Sequence, residues 1–489
     1  MIPLDKVLAL AGVSASSVAV LTGETSILTV DELAQTAQAH QLRVLPGLNI
    51  SLEYHILRCI EELRTADRGI LMDVAHFQVA EVKRWLAEYN GVERAEIVGE
   101  LRRGKGLVTA VEVLAAASDP AGLFQAFASS PLVWMSKAEG KTRIEVASAL
   151  GLPVTLHVVE RDRFGAALLN LTGSQAHLHR LRETANRQGL RLDTILAQAG
   201  PDEEEIYRRL DLPFIPPELR EDQGEIEAAR AGRLPQPITT DQIQGDLHMH
   251  TNWADGLHPI ETMAEAARAR GYRYIAICDH SPLIEEAGGL DQVRLVAQSE
   301  EIERLNHQYS DFTILSGMEV DIRVNGELDM PDDALRELDL AIASIHITYG
   351  QDTKTITKRL IAAMQHPLVD IIAHPAGRLL KEPNLYTADV EELLRAAART
   401  GTVLEINSGP DRLDLSAEWA RRAREYGVSL VIGSDAHSVQ QLGWMQFGLA
   451  TARRAWLEGA DVLNTIPLEE LRCRLKRHKA TRHLHSSKL

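Results

Sequence analysis

A chain of 489 residues, 45% hydrophobic and 25% charged, is long enough for several buried cores and has the balance of an ordinary globular protein. Its 52 Lys and Arg against 69 Asp and Glu leave a formal charge of −17, the wrong sign for a protein that coats nucleic acid through its phosphates. Cys59, Cys278 and Cys473 stand far apart, which excludes a disulfide scaffold or a thiolate zinc site and fits a reducing cytoplasm. No run reaches the roughly 18 apolar residues of a membrane span, and MIPLDKVLALAGVSASS lacks the basic start of a secretory signal.

Residues 1–90 read as helices, since DELAQTAQAHQ and LEYHILRCIEELRTA space apolar residues by three and four around a turn at Leu45-Pro46-Gly47. From 91 to 200 strand-like runs (AEIVGEL, AVEVLAA, PVTLHVVE) mix with helices. Pro213, Pro216, Pro217, Pro235 and Pro237 then mark 201–244 as a linker with a short helix at EIEAARA. A different pattern runs over 245–475. GDLHMH, YIAICDH, TILSGMEVDI, LAIASIHI, VDIIAHP, VLEINS and SLVIGSDAH are short apolar strands, each followed by an amphipathic helix. Alternation of this kind makes a parallel sheet, and seven units predict a TIM-like (β/α)7 barrel over an open doubly wound sheet. The end of the chain, 476–489, is a basic tail.

In such barrels the reactive groups sit at the C-terminal ends of the strands. Here those ends carry His248 and His250, His280, Glu319, His346, His374, and Asp435 with His437, while Asp255 lies in the loop after the first strand. The sixth strand ends in Asn407, a non-ligand. Because strand side chains alternate, His248/His250 and Asp435/His437 each project to one side. A single strand-end histidine is usually a hydrogen-bonded structural residue. Six converging imidazoles are different, because without a counter-charge they would be costly to desolvate and would repel when protonated. Imidazole with carboxylate suits divalent zinc, manganese or iron, so this mouth is expected to hold metal ions. Bound cations would make a positive pit in an acidic protein, and phosphate is the substrate chemistry that follows. Arg378 and Arg412, after the fifth and sixth strands, stand where they would grip phosphate oxygens, or else form surface ion pairs.

The motifs DLHMHTNWADG, CDHS, GMEVDI, ASIH, AHPAGR and GSDAHS resemble the PHP (polymerase and histidinol phosphatase) domain, and all nine metal-binding positions of that family find a match. The resemblance implies a distorted seven-stranded barrel with two to three divalent ions. One would be held by His248, His250, Glu319 and Asp435, a second by Glu319, His346 and His374, and a third by Asp255, His280 and His437. It makes His248, His250, Glu319, His346 and Asp435 the catalytic set.

Nearly end to end, through GELRRGKGLVTAVEVL, RFGAALLNLTGSQAHLHRLR and PFIPPELREDQGEIEAARAGRLP, the chain resembles a bacterial family X DNA polymerase carrying a C-terminal PHP domain. That family places a serine beside the triphosphate and three aspartates around two magnesium ions. Here Glu100 replaces the serine, Ala110 and Glu112 the paired aspartates, and Thr155 the third. One carboxylate cannot hold two magnesium ions octahedrally, so the resemblance implies a degenerate nucleotidyltransferase over 91–200. Its small N-terminal lyase domain is expected to be absent. The helix-hairpin-helix turns, Ala11-Gly12-Val13-Ser14-Ala15 and Pro46-Gly47-Leu48-Asn49-Ile50, each lack the second glycine that lets DNA phosphate approach the backbone. Arg102, Arg103 and Lys105 would either touch a DNA backbone or lie in a solvated loop. Three readings follow: a metal-dependent 3′–5′ exonuclease acting on DNA 3′ ends, a phosphomonoesterase on a small metabolite, or a non-catalytic DNA-binding scaffold.

Overall fold

The computed structural model describes residues 3–14, 17–18, 21, 27–45 and 47–475. The basic tail 476–489, and Ala15 and Pro46 of the two glycine turns, lie outside the described residues. The chain forms two compact units. Among the described residues, one comprises those up to Ala39 together with His55–Gln236, and the other those of His40–Tyr54 together with 237–475. Among the described residues, no helix is long and apolar enough to cross a membrane.

The first unit is built on a five-stranded sheet of β1 (Val92–Ile97), β2 (Val111–Ala117), β3 (Val133–Glu139), β4 (Arg143–Ser148) and β5 (Pro153–Val159). Their spatial order is β1-β2-β5-β4-β3, and only β2 and β5 run parallel. β2 and β5 fall at strand-like runs of the sequence, whereas AEIVGEL shares only Ala95–Ile97 with β1 and continues into a helical turn at Gly99–Arg102. The β3–β4 hairpin has no counterpart among those runs, although Arg143-Ile144-Glu145-Val146 alternates polar and apolar residues as a half-buried strand does. Val98, Leu114, Ala116, Phe164 and Leu168 pack one face of the sheet against the helix Phe164–Thr172. The linker stretch is made of short helical turns at Glu204–Arg209, Pro217–Leu219 and Glu225–Arg230. It is tied in by Arg220, whose fully buried guanidinium donates to Glu203 at 2.8 Å and to the Ile215 carbonyl at 2.9 Å.

The second unit contains seven parallel strands in sequence order: β6 (Gly245–Met249), β7 (Tyr274–Ile277), β8 (Thr313–Asp321), β9 (Leu340–Ser344), β10 (Ile371–Ile372), β11 (Val403–Asn407) and β12 (Leu430–Gly433). The ring nearly closes, because Asp435 N donates to His248 O at 2.9 Å and His250 N to Ala436 O at 2.8 Å. Strand alternation splits the apolar residues into two sets. Leu247, Tyr274, Ala276, Leu315, Leu340, Ile342, Ile371, Val403 and Val431 form one cluster, while Ile275, Ile277, Met318, Val320, Ala341, Ala343, Ile372, Ile406 and Ile432 join the helix-packed layer. Side-chain caps start the outer helices: Asp291, Asp352, Asp389 and Ser416 each accept the backbone N–H three residues on, worth about 1 kcal/mol apiece.

Candidate metal centre

Continuing the inward alternation past the strand ends carries polar side chains to one mouth. Tyr274, Ala276 and Cys278 are followed on the same face by His280, and Leu340, Ile342 and Ser344 by His346. His374 and Asp435 reach the mouth through left-handed backbone, with φ of 31° and 53°. Non-glycine residues adopt that region only where the surroundings impose it, as they do at sites that hold a side chain in place.

The eight strand-end residues singled out from the sequence, and Asp255 from the loop after the first strand, meet there. Glu319 is central. Its Oε1 lies 3.0 Å from His374 Nε2 and 3.6 Å from His346 Nε2, and its Oε2 lies 3.2 Å from His280 Nδ1 and 3.4 Å from His248 Nε2. On the other side His250 Nε2 stands 3.1 Å from Asp435 Oδ1, and His437 Nε2 stands 3.3 Å from Asp255 Oδ2. Ligand atoms converge within 4.8 Å in three groups: His250, Asp255, His280 and His437; His248, His250 and Asp435; and His280, Glu319 and His346. This grouping makes His250 and His280 the shared residues, where the resemblance put Glu319 in that role.

The electrostatics match a site built for cations. Burial drives His250 down to about 3, and neighbouring His437 and His280 push the same way. Burial also opposes the charge on His437, but Asp255 beside it prevails and raises it to about 9. Glu319 and Asp435 are held well below the carboxylate range against their burial, Glu319 chiefly by His346, His248 and His280, and Asp435 chiefly by His248 and His250. His250 Nδ1 and Asp255 Oδ1 are buried 4.0 Å apart and make no hydrogen bond. A buried polar atom with no partner is costly, and an imidazole nitrogen facing a carboxylate oxygen is a donor set that a divalent ion would satisfy. The residues fit the group.

A surrounding layer of carboxylates, not foreseen from the sequence, orients these ligands. Glu405 on β11 is fully buried and faces His248 Nδ1 at 2.7 Å, while its Oε2 accepts from His374 N at 2.9 Å. Gly433 makes room for it, since a Cβ there would stand 2.1 Å from Glu405 Oε1. Asp321 faces His346 Nδ1 at 3.2 Å and accepts from its backbone N–H at 3.0 Å. Asp279, raised to about 7 by burial, accepts from Thr251 N and Oγ1 at 2.7 and 2.6 Å. Asn407, the non-ligand of the sixth strand, donates from Nδ2 to Glu405 and to Asp435, each at 3.1 Å. A signal was present: Glu319/Asp321 and Glu405/Asn407 are i, i+2 pairs in otherwise apolar strands.

The two arginines separate. Arg378 Nη1 donates to the Leu413 carbonyl at 2.6 Å, and its backbone N–H donates to Asp414 at 3.1 Å, so it supports the loop after β11. Burial works against the charge of Arg412, yet Asp435, Asp411 and Glu319 outweigh it and hold the guanidinium protonated beside the cluster.

In the first unit Glu112 and Thr155 are register partners on parallel β2 and β5, and His157 Nε2 lies 3.4 Å from Glu112. Glu100 is engaged by Lys105 at 2.8 Å and by Thr109 N at 2.9 Å. Arg102 is paired with Glu203 and Arg103 with Glu221, so neither lies in the solvated loop expected of it.

Comparison with known proteins agrees with this layout. The PHP domain family matches residues 246–409 and the DNA polymerase beta thumb matches 167–221. A Bacillus subtilis protein named DNA polymerase/3′-5′ exonuclease PolX is 34% identical over 488 residues, 98% of this chain and 85% of that one. A probable phosphatase of Thermoanaerobacter sp. strain X514 is 32% identical over 233 residues, 45% of this chain and 90% of that one. Among solved structures, a histidinol phosphate phosphatase from Lactococcus lactis matches at 17% identity and a TM-score of 0.32, covering 42% of this chain and 92% of that one, too distant to argue from. Similarity running through both units is what a shared two-part architecture requires, and the chain belongs to the PolX family, with its PHP domain in the barrel.

Proposed function

We propose that this chain is a metal-dependent phosphoesterase that removes nucleotides from DNA 3′ ends, with polymerase activity lost. The observation that carries the hydrolase reading is the convergence of five imidazoles and three carboxylates at one barrel mouth, joined by His374 through Glu319, with two facing, buried and unpartnered ligand atoms among them. Two to three divalent ions, manganese or zinc by ligand chemistry, would be held by His248, His250, Asp255, His280, Glu319, His346, His374, Asp435 and His437. When bound, such ions supply Lewis acidity, which activates water and neutralises charge on the phosphoryl and departing oxygens.

The remaining work falls to the side chains. Glu405 and Asp321 face the Nδ1 atoms of His248 and His346, which orients both rings with Nε2 toward Glu319. Arg412, kept charged by its carboxylate neighbours, would bind a phosphate oxygen bidentately, and Arg378 would act through the loop that carries it. In the first unit, Ala110, Glu112 and Thr155 leave one carboxylate where two magnesium ions would be needed. The Bacillus subtilis relative, a DNA polymerase/3′-5′ exonuclease by name, supports DNA as the substrate.

The test is a manganese-dependent assay on a 5′-labelled single-stranded oligonucleotide, with Asp435→Ala as control. A ladder shortening from the 3′ end, absent in the control, is the expected result. A second reading, hydrolysis of a small phosphomonoester, is favoured by the phosphatase relative, 90% of whose length is covered by 45% of this chain. Steep loss of rate with salt marks the nucleic acid, because counterions are released at each phosphate contact, and a flat response marks the small substrate.

A further inference from the structure

The barrel unit includes His40–Tyr54, a segment far from every ligand in the sequence. Asn49 ties it down: its Nδ2 donates to the backbone carbonyl of Asp255 at 2.9 Å, and its Oδ1 accepts from Leu52 N at 2.9 Å, opening the helix Ile50–Arg64. One amide therefore joins a helix start to the loop bearing a candidate ligand. Glu53 secures the segment from within. Almost wholly buried, it accepts from Leu42 N at 3.0 Å, Arg43 N at 3.1 Å and Arg43 Nε at 2.8 Å. The next residue, Tyr54, is 61% exposed. The Asn49–Asp255 contact brings the start of its helix to the ligand loop, and its phenol lies within electrostatic reach of both Arg412 and Tyr349. Tyr349 is itself braced by Tyr386, the ring centroids 6.2 Å apart and 23° from parallel.

An exposed aromatic ring within electrostatic reach of a guanidinium offers one partner for each half of a nucleotide, base and phosphate. An acidic chain cannot rely on general attraction to a DNA backbone, whereas stacking accepts any base and needs no net charge. We propose that Tyr54 is the platform on which the terminal base of a DNA 3′ end stacks while its phosphate lies against Arg412 at the metal centre. This rests on the 3′-end exonuclease reading and assigns that site its base-binding side. Tyr54 is here a binding residue and carries no part of the bond-breaking chemistry.

Binding tests it without turnover. Two short 5′-fluorescein single strands with a phosphorothioate last linkage are titrated in calcium, one ending in thymidine and one in an abasic residue, with affinity read by anisotropy. Wild type should hold the thymidine end roughly tenfold tighter, the scale of one base–aromatic stack. Tyr54→Ala should bring that ratio close to one. Tyr54→Phe and Tyr54→Trp should keep it, with the indole of Tyr54→Trp quenched by the thymidine-ended strand alone. An undiminished ratio in Tyr54→Ala overturns the platform and leaves the exonuclease standing, as does a Tyr54→Phe that behaves like Tyr54→Ala. A wild type that binds neither strand yet hydrolyses p-nitrophenyl phosphate overturns the 3′-end reading, and the platform with it.

Discussion

His248 presents Nδ1 to Glu405 Oε1 at 2.7 Å, with both side chains buried. The contact leaves His248 Nε2 facing Glu319 and Asp435 at 3.4 and 3.6 Å. Partners of this kind set ring orientation and ligand basicity, and their loss typically costs about 10–100-fold in metal affinity or activity. Glu405→Gln should therefore weaken metal retention by about that factor in a chelator competition, with the circular dichroism spectrum unchanged. Unaltered retention would make Glu405 a packing residue only.

Removal of a ligand should do more. Asp435→Ala and His346→Ala are each expected to lower hydrolysis by more than about 100-fold, beyond the loss of an outer partner, while the fold persists. Chelation of the wild type should abolish hydrolysis and lower the barrel's melting temperature, since metal bound only by the folded state stabilises it. Calorimetry before and after adding manganese or zinc reads this directly, and a rate that survives exhaustive chelation would refute a metal-dependent site.

Acid should loosen the first unit through Glu203. Burial raises its pKa, but Arg220 and Arg102 prevail and hold it below the usual value of 4.5. A carboxyl lowered on folding contributes stability that is complete above about pH 4.5 and lost as pH falls through the lowered value. Urea unfolding followed from pH 7 into that range should show the decline. Glu203→Gln should flatten it and cost about 3–5 kcal/mol at neutral pH by leaving Arg220 buried without its counter-ion. An acid slope of wild-type steepness in Glu203→Gln would assign the decline elsewhere.

Glu112→Ala should leave oligonucleotide hydrolysis at the wild-type rate, and neither protein should extend a primer with deoxynucleotides and magnesium. Primer extension by wild type that Glu112→Ala abolishes would restore the nucleotidyltransferase.

Much of the barrel was legible because its signals are local. Seven apolar runs, each ending in a histidine, a carboxylate or an asparagine and followed by an amphipathic helix, declare both the strands and the mouth. The β3–β4 hairpin was not legible, because the alternation Arg143-Ile144-Glu145-Val146 spans only four residues, too short to separate a strand from a helix or loop. Arg378 and Arg412 look alike in sequence, each a few residues past a strand. Their separation depends on which loop carbonyl or carboxylate each meets, and only the folded loops supply that.

The (β/α) repeat and the residue types at each strand end are written locally in the chain, because alternation along a strand is a property of neighbouring residues. Which imidazole faces which carboxylate follows from the fold alone. His248 meets Glu405 across 157 positions, and Asn49 reaches the Asp255 loop across 206. Contacts that distant are brought together by near-closure of the barrel and by packing of the His40–Tyr54 segment against it, and no local pattern encodes them.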